Sequence, residues 1–156
     1  MKKITLHLKK IILFACGLAF CVFSAFNRQE DPTVLIENML VKYYNNEAQA
    51  KLIKKHEIKV TSTGFCRYRK VFNNGKEEYF AFNLSRLKAI DYYGTQAKGD
   101  LFLRTNSDDV IVQTRNDKRG AIDSMGTYMV IPLKNIEPEA LNDLAEQLKK
   151  LKLEKL

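Results

Sequence analysis

Residues 65–84 read Phe-Cys-Arg-Tyr-Arg-Lys-Val-Phe-Asn-Asn-Gly-Lys-Glu-Glu-Tyr-Phe-Ala-Phe-Asn-Leu, which predicts a β-hairpin. Two segments rich in aromatic and β-branched residues flank Asn73-Asn74-Gly75, where Asn and Gly tolerate the positive φ angles of a tight reversal. A three-residue loop with Gly75 as a G1 bulge separates an apolar face from a polar one, whereas a two-residue loop would place arginines among the aromatic rings. The facing pairs in the bulged register are Cys66 with Phe82, Tyr68 with Phe80, and Lys70 with Glu78.

The bulged register predicts that Arg67, Arg69 and Tyr79 point to solvent or to a partner. Basic residues are also frequent just before the hairpin, and together they form a candidate binding cluster. An acidic surface on another protein is the expected target, and a solvated face that binds nothing is the alternative. The cluster consists of Lys51, Lys54, Lys55, Lys59, Arg67, Arg69, Lys70 and Lys76, and the proposed binding residues are Lys51, Lys54, Lys55, Arg67, Arg69 and Tyr79.

The start of the chain has the pattern of a bacterial signal peptide, predicted over residues 1–25. A lysine-rich segment precedes Ile11–Phe26, which carries no charge and is shorter than the roughly 20 residues of a membrane span. Cleavage is expected after Ser24 or Ala25. Retention as an N-terminal anchor, and lipidation at Cys16 or Cys21, are the alternatives. We therefore expect export to the periplasm or cell envelope, with membrane attachment only through an uncleaved N-terminal segment.

Charge and cysteine content restrict the possible functions of the processed chain. The full sequence has 26 basic and 18 acidic residues, and loss of four leader lysines leaves 22 basic residues and a net charge of +4. Proteins that bind nucleic acid usually carry a larger and more concentrated positive charge. Nucleic acid is therefore not expected as a partner. Only Cys66 remains after processing, which excludes an internal disulfide. No motif predicts a cofactor or a metal site.

The segment 26–57 is predicted to be helical and the segment 58–156 to be a β-meander with a C-terminal helix, the two forming one domain. Asp31-Pro32 reads as an N-cap followed by Pro in the first turn, and further helical turns are expected over Glu47–Lys55. The predicted strands are Ile58–Thr63, Phe65–Phe72, Lys76–Leu84, Leu87–Tyr93, Asp100–Thr105, Val110–Arg115 and Gly126–Leu133.

Apolar residues in the second half indicate what the sheet and the last helix bury. The run Met129–Leu133 is predicted to be buried on both faces. A C-terminal amphipathic helix should begin near Pro138 and lay its stripe on the sheet. The core candidates of the strands are Phe102, Val110, Val112, Met129 and Ile131. The stripe of the helix is Leu141, Leu144, Ala145, Leu148 and Leu151.

The order of elements from Ile58 to about Leu153, seven strands and then one amphipathic helix, resembles the pleckstrin-homology-like architecture. Within it, Phe82–Ile90 followed by Gly99–Leu103 looks like a middle-strand pair of such bacterial domains. The resemblance implies a sandwich or half-barrel of two antiparallel sheets capped by the helix, with basic phosphate-binding residues on the first hairpins. The N-terminal helix is an addition to that pattern, and a half-open sheet covered by both helices is the structural alternative.

These patterns predict an α+β protein that acts by binding. The leading hypothesis is a non-catalytic, exported interaction module of the bacterial envelope that binds a protein partner. One alternative is a periplasmic immunity protein that neutralises a cognate toxin. The other is an enzyme of unknown type, for which Cys66 and His56 are the available catalytic pair, although the bulged register turns Cys66 inward.

Overall fold

The structure is a computed structural model that describes residues 31–47 and 50–154. The predicted signal peptide lies outside the described residues, and the predicted domain boundaries stay predictions. Within the described residues, the first element is helix α1, Pro32–Tyr43, which begins as expected. The Asp31 carboxylate caps it by accepting hydrogen bonds from the Thr33 backbone N–H at 2.9 Å and from the Thr33 hydroxyl at 2.7 Å.

The helical turns predicted over Glu47–Lys55 are wrong, because the chain is already extended from Ile53. Strand β1, Ile53–Val60, pairs with the first strand of the hairpin and buries Ile58 and Val60 on its inner face. The Lys and Glu residues of β1 favour a helix only weakly, and the hydrogen bonds and burial of a sheet outweigh that preference.

Eight strands, rather than the seven predicted, form two antiparallel sheets in the described part of the chain. The order is β1-β2-β3-β6-β7 in the five-stranded sheet and β4-β5-β8 in the three-stranded one. The single meander is therefore wrong at two points, since β3 lies beside β6 and β5 beside β8. The remaining strands are β2 Phe65–Phe72, β3 Glu77–Asn83, β4 Leu87–Gly94, β5 Lys98–Thr105, β6 Val110–Arg115, β7 Ile122–Gly126 and β8 Tyr128–Lys134.

The predicted last strand, Gly126–Leu133, is divided in the structure. Its first residue ends β7, and β8 begins after Thr127 in the other sheet. The strand β7 was missed because Ile122–Gly126 is exposed over most of its length and shows no apolar alternation.

The bulged register of the hairpin is confirmed. Cys66, Tyr68 and Lys70 lie opposite Phe82, Phe80 and Glu78. Gly75 has φ 85° and its N–H donates to the Phe72 carbonyl at 3.0 Å, while the Phe72 N–H donates to the Lys76 carbonyl at 2.8 Å. The three-residue loop with a left-handed glycine therefore sets which side chains of β2 and β3 face the core.

The core lies between the two sheets and under the helices, and it contains most of the predicted apolar residues. Val110, Met129 and Ile131 are fully buried and Val112 packs against them. Phe102 is a wrong prediction, because Leu101 and Leu103 on either side of it point inward and it must point outward. For the same reason Met129–Leu133 is buried on one face only, with Val130 and Pro132 partly exposed on the other.

The C-terminal helix α2, Pro138–Glu154, begins at the predicted proline. Leu144, Leu148 and Leu151 of its stripe are fully buried. Its main neighbours are α1 and the short 3₁₀ turn Leu84–Arg86, rather than a sheet face alone as predicted. The two helices thus close one side of the core together. None of the helices in the described part of the chain is long and apolar enough to span a membrane.

Candidate functional site

A groove on the outer face of the five-stranded sheet brings together the three polar hairpin residues predicted to face outward. Its volume is about 440 Å³ and four adjacent strands contribute two residues each. A central row crosses the sheet, with one pair of residues on each side of it. The row consists of Glu57, Arg69, Tyr79 and Gln113, and the flanking pairs are Lys59 with Arg67 and Glu77 with Arg115.

Arg69 and Tyr79 occupy the middle of the groove, directly opposite each other on β2 and β3. The Arg69 guanidinium holds one oxygen of Glu77 through two nitrogens, Nη2 at 2.7 Å and Nε at 3.1 Å. This hydrogen bond and the charge of Glu77 raise the pKa of Arg69 above its ordinary value. Tyr79 is partly buried, and its hydroxyl can donate or accept a hydrogen bond.

Two more cations of the groove also have carboxylate partners. Arg115 Nη2 lies 3.2 Å from Asp123 on β7, and Lys59 Nζ lies 3.6 Å from Glu37 on α1. Arg67 differs from these, because it is exposed and has no ion pair with a carboxylate within residues 31–47 and 50–154. Its guanidinium lies 5.9 Å from the centre of the Phe65 ring. One of the four cations is therefore available to an external anion.

The other three predicted binding residues, Lys51, Lys54 and Lys55, do not line this groove. Lys54 and Lys55 belong to a separate depression of about 300 Å³ beside Tyr44 and His56. Lys51 lies in the turn before β1, where its carbonyl accepts a hydrogen bond from Asn73 Nδ2 at 2.8 Å. The predicted site is divided because these lysines stand at the start of a strand and not on a helix beside the hairpin.

Lys70 and Lys76 of the basic cluster form ion pairs with carboxylates that lie outside the groove. Lys70 faces the inner side of β2, and its Nζ lies 2.6 Å from Glu78. Lys76 Nζ lies 2.9 Å from Glu78 and 3.2 Å from Asp117. Partial burial acts to raise the pKa of Glu78, but the hydrogen bonds from both lysines prevail and lower it. These charges therefore contribute little to the potential of the groove.

Cys66 and His56 do not form a catalytic pair. Cys66 is fully buried opposite Phe82, and burial, reinforced by the charge of Glu37, raises the pKa of its thiol to about 12. The His56 ring instead stacks on Tyr44 with 3.8 Å between centroids. Burial lowers the pKa of His56 below its ordinary value. Over the described residues, His, Cys, Asp and Glu form no cluster of three or more that could hold a metal.

Four groove residues were absent from the sequence-based candidates altogether: Glu57, Glu77, Gln113 and Arg115. Alternation along β6 does place Gln113 and Arg115 on one face. That signal could not connect them to Arg69 and Tyr79, because β4 and β5 separate β3 from β6 in the chain.

Comparisons with family models, with curated proteins and with solved structures found no match for this chain. The groove is therefore interpreted from its own geometry and charge.

Proposed function

We propose that this protein is a non-catalytic interaction module that binds an acidic protein partner at the groove. The observation that carries the proposal is the arrangement of four cations and two carboxylates around Tyr79 on one sheet face, with Arg67 having no carboxylate partner among the described residues. Arg and Tyr are enriched at the energetically important centres of protein interfaces. Complementary charge favours an acidic partner and accelerates its association.

The proposed location is the periplasm or cell envelope of a bacterium, reached through a signal peptide over residues 1–25. The lysine-rich start followed by an uncharged apolar segment supports it. Cell fractionation with mass determination of the mature chain tests it. A periplasmic form beginning at Ala25 or Phe26 is expected, and a full-length cytoplasmic form would contradict export.

We retain the pleckstrin-homology-like architecture as a proposal for the fold. Two antiparallel sheets and an amphipathic helix at the C-terminus support it. The pairing of β3 with β6 and of β5 with β8 departs from a sequential meander. This departure counts against the pleckstrin-homology-like architecture.

The function is tested by a pair of charge-reversed proteins used to capture partners from envelope extract. Arg67→Glu with Arg69→Glu reverses two charges in the groove. Lys118→Glu with Arg119→Glu reverses two in the exposed loop before β7 and serves as the matched control. We expect the unaltered protein and the control to retain one stoichiometric protein complex and the groove variant to lose it.

Two results would contradict this function: an extract that yields only lipid or glycan, or equal capture by both variants. If the captured partner is a toxin encoded by an adjacent gene, and binding abolishes the toxin's activity, the module is an immunity protein. That outcome specifies the partner and leaves the groove as its binding surface.

A further inference from the structure

One pair of like charges faces across the sheet at the edge of the groove. Lys59 on β1 lies directly opposite Arg67 on β2. Like charges in directly opposite positions destabilise an antiparallel pair, whereas Arg69 on the same strand lies opposite Glu57. The Lys59–Arg67 pair thus runs against the charge pattern that would stabilise the sheet.

Only one side of this pair is compensated within the described chain. Glu37 on α1 lies 3.6 Å from Lys59 through Oε1, while its Oε2 accepts the Val60 N–H at 3.0 Å. Both oxygens of Glu37 are therefore engaged near Lys59. Arg67 keeps a guanidinium that can present a planar pair of N–H donors to an incoming anion.

The opposite flank of the groove has different electrostatics. There Glu77 holds Arg69, and Asp123 holds Arg115. An anion entering on that flank would meet two cations that each have a carboxylate partner, whereas one entering beside Lys59 and Arg67 meets two cations with a single carboxylate partner, Glu37 on Lys59. The charge distribution therefore directs an anionic group to one end of the groove.

We propose that Lys59 and Arg67 form the subsite that takes the carboxylate of an Asp or Glu side chain of the partner, an inference that rests on the function proposed above. The Arg67 fork binds the carboxylate through two parallel hydrogen bonds, and Lys59 supplies a second positive charge. A monovalent carboxylate suits the site better than a dianionic phosphate, because Glu57 and Glu77 also line the groove and repel a higher negative charge.

The test uses the mature protein with hexaglutamate as the probe, and with glutarate and inorganic phosphate as small-anion comparisons, by calorimetry at low ionic strength. Arg67→Gln should weaken hexaglutamate binding by at least about tenfold. Arg67→Lys, which keeps the charge but removes the fork, should weaken it less. Arg119→Gln removes the same charge from a side chain that is 89% exposed outside the groove, and it should leave affinity unchanged.

Thermal unfolding separates a recognition role from a structural one. Because Arg67→Gln removes a repulsion with Lys59, we expect its melting temperature to be equal to or above that of the unaltered protein while binding is lost. A residue that mainly holds the sheet together would show the opposite, a lowered melting temperature with unchanged affinity.

Several results would overturn this inference. They are failure of hexaglutamate to bind, equal binding by Arg67→Gln, tighter binding of phosphate at this position, or binding of free glutarate as tight as that of the peptide. If the partner complex survives Arg67→Gln but not the double charge reversal, the proposed carboxylate subsite is wrong. The proposed function, binding of a protein at the groove, is then still supported. If no protein complex forms at all, the proposed function itself fails.

Discussion

His56 joins the end of α1 to the start of β1 through an aromatic contact. Its ring stacks on Tyr44, whose hydroxyl hydrogen-bonds the Tyr68 hydroxyl at 2.8 Å inside the core. Tyr44 also forms an antiparallel bridge with Leu133 of β8. These contacts connect residues from α1, both sheets and the hairpin, so the charge state of His56 affects a junction of the fold.

We predict that stability falls as the pH is lowered through the titration of His56. The unfolded histidine has its ordinary pKa of 6.5 and the folded one a lower value, so below 6.5 the unfolded state binds more protons. The contribution of neutral His56 to the free energy of unfolding is fully present above pH 6.5. It is lost progressively as the pH falls towards the lowered pKa of the folded state. Urea unfolding between about pH 8 and about pH 5 measures it, because carboxylates titrate mainly below this interval.

His56→Gln is the control for this pH dependence. It removes the titrating group while keeping a polar side chain of similar length. An equal slope of stability against pH in the variant would assign the effect to other groups.

Cys66 should be chemically inert in the folded protein. With its pKa raised to about 12, only ~10⁻⁵ of the thiol is ionised at neutral pH, and the side chain has no exposed surface. We expect iodoacetamide to modify it only on the timescale of unfolding, and rapidly in denaturant, as followed by mass spectrometry. Fast modification of the folded protein would contradict its burial and revive the catalytic hypothesis.

The two helices act as one cover because α2 packs on α1 and on the 3₁₀ turn after β3. The buried leucines of α2 are spaced three and four residues apart, as expected for a single apolar stripe. Each contributes roughly 1.5–3 kcal/mol of transfer free energy. Burial of these leucines is therefore the main interaction that holds α2 against the rest of the protein.

Leu148→Ala should destabilise the protein by roughly 2–5 kcal/mol, because it leaves a cavity beneath the middle of α2. The matched control is Leu153→Ala on the same helix, where the side chain is 70% exposed and the expected change is below about 0.5 kcal/mol. Urea unfolding gives both values. Similar losses for the two variants would mean that α2 is not anchored through its stripe.

The order of strands makes the two sheets depend on each other. The chain passes to the three-stranded sheet after β3, returns for β6 and β7, and leaves again for β8. The last strand therefore completes a sheet that starts near the middle of the chain. Met129, Ile131 and Leu133 of β8 are fully buried, so neither sheet has a complete core without the C-terminal segment.

Deletion of residues 128–156 should abolish cooperative unfolding, because it removes β8 and α2 and exposes the core that they cover. The control is deletion of residues 153–156, of which the two described ones, Leu153 and Glu154, are exposed. Far-ultraviolet circular dichroism during urea titration distinguishes the two. A sharp transition in the longer deletion would show that the first sheet folds independently.

Several local features were predictable from the sequence because neighbouring residues determine them. The Asn-Asn-Gly loop and the alternation beside it specify the hairpin register, and that register places Arg67, Arg69 and Tyr79 on one face. Asp31-Pro32 starts α1, and Pro138 with its leucine stripe starts α2. In each case, the turn, the cap or the periodicity lies within a few residues of its effect.

The sequence by itself thus determined the hairpin, the two helix starts and one half of the groove. Only the tertiary structure decided that β6 lies beside β3, which adds Gln113 and Arg115 to the groove, and that the lysines at the start of β1 stand apart from it. The physical reason is that pairing between strands distant in the chain depends on which apolar faces can be buried together. No local pattern carries that information.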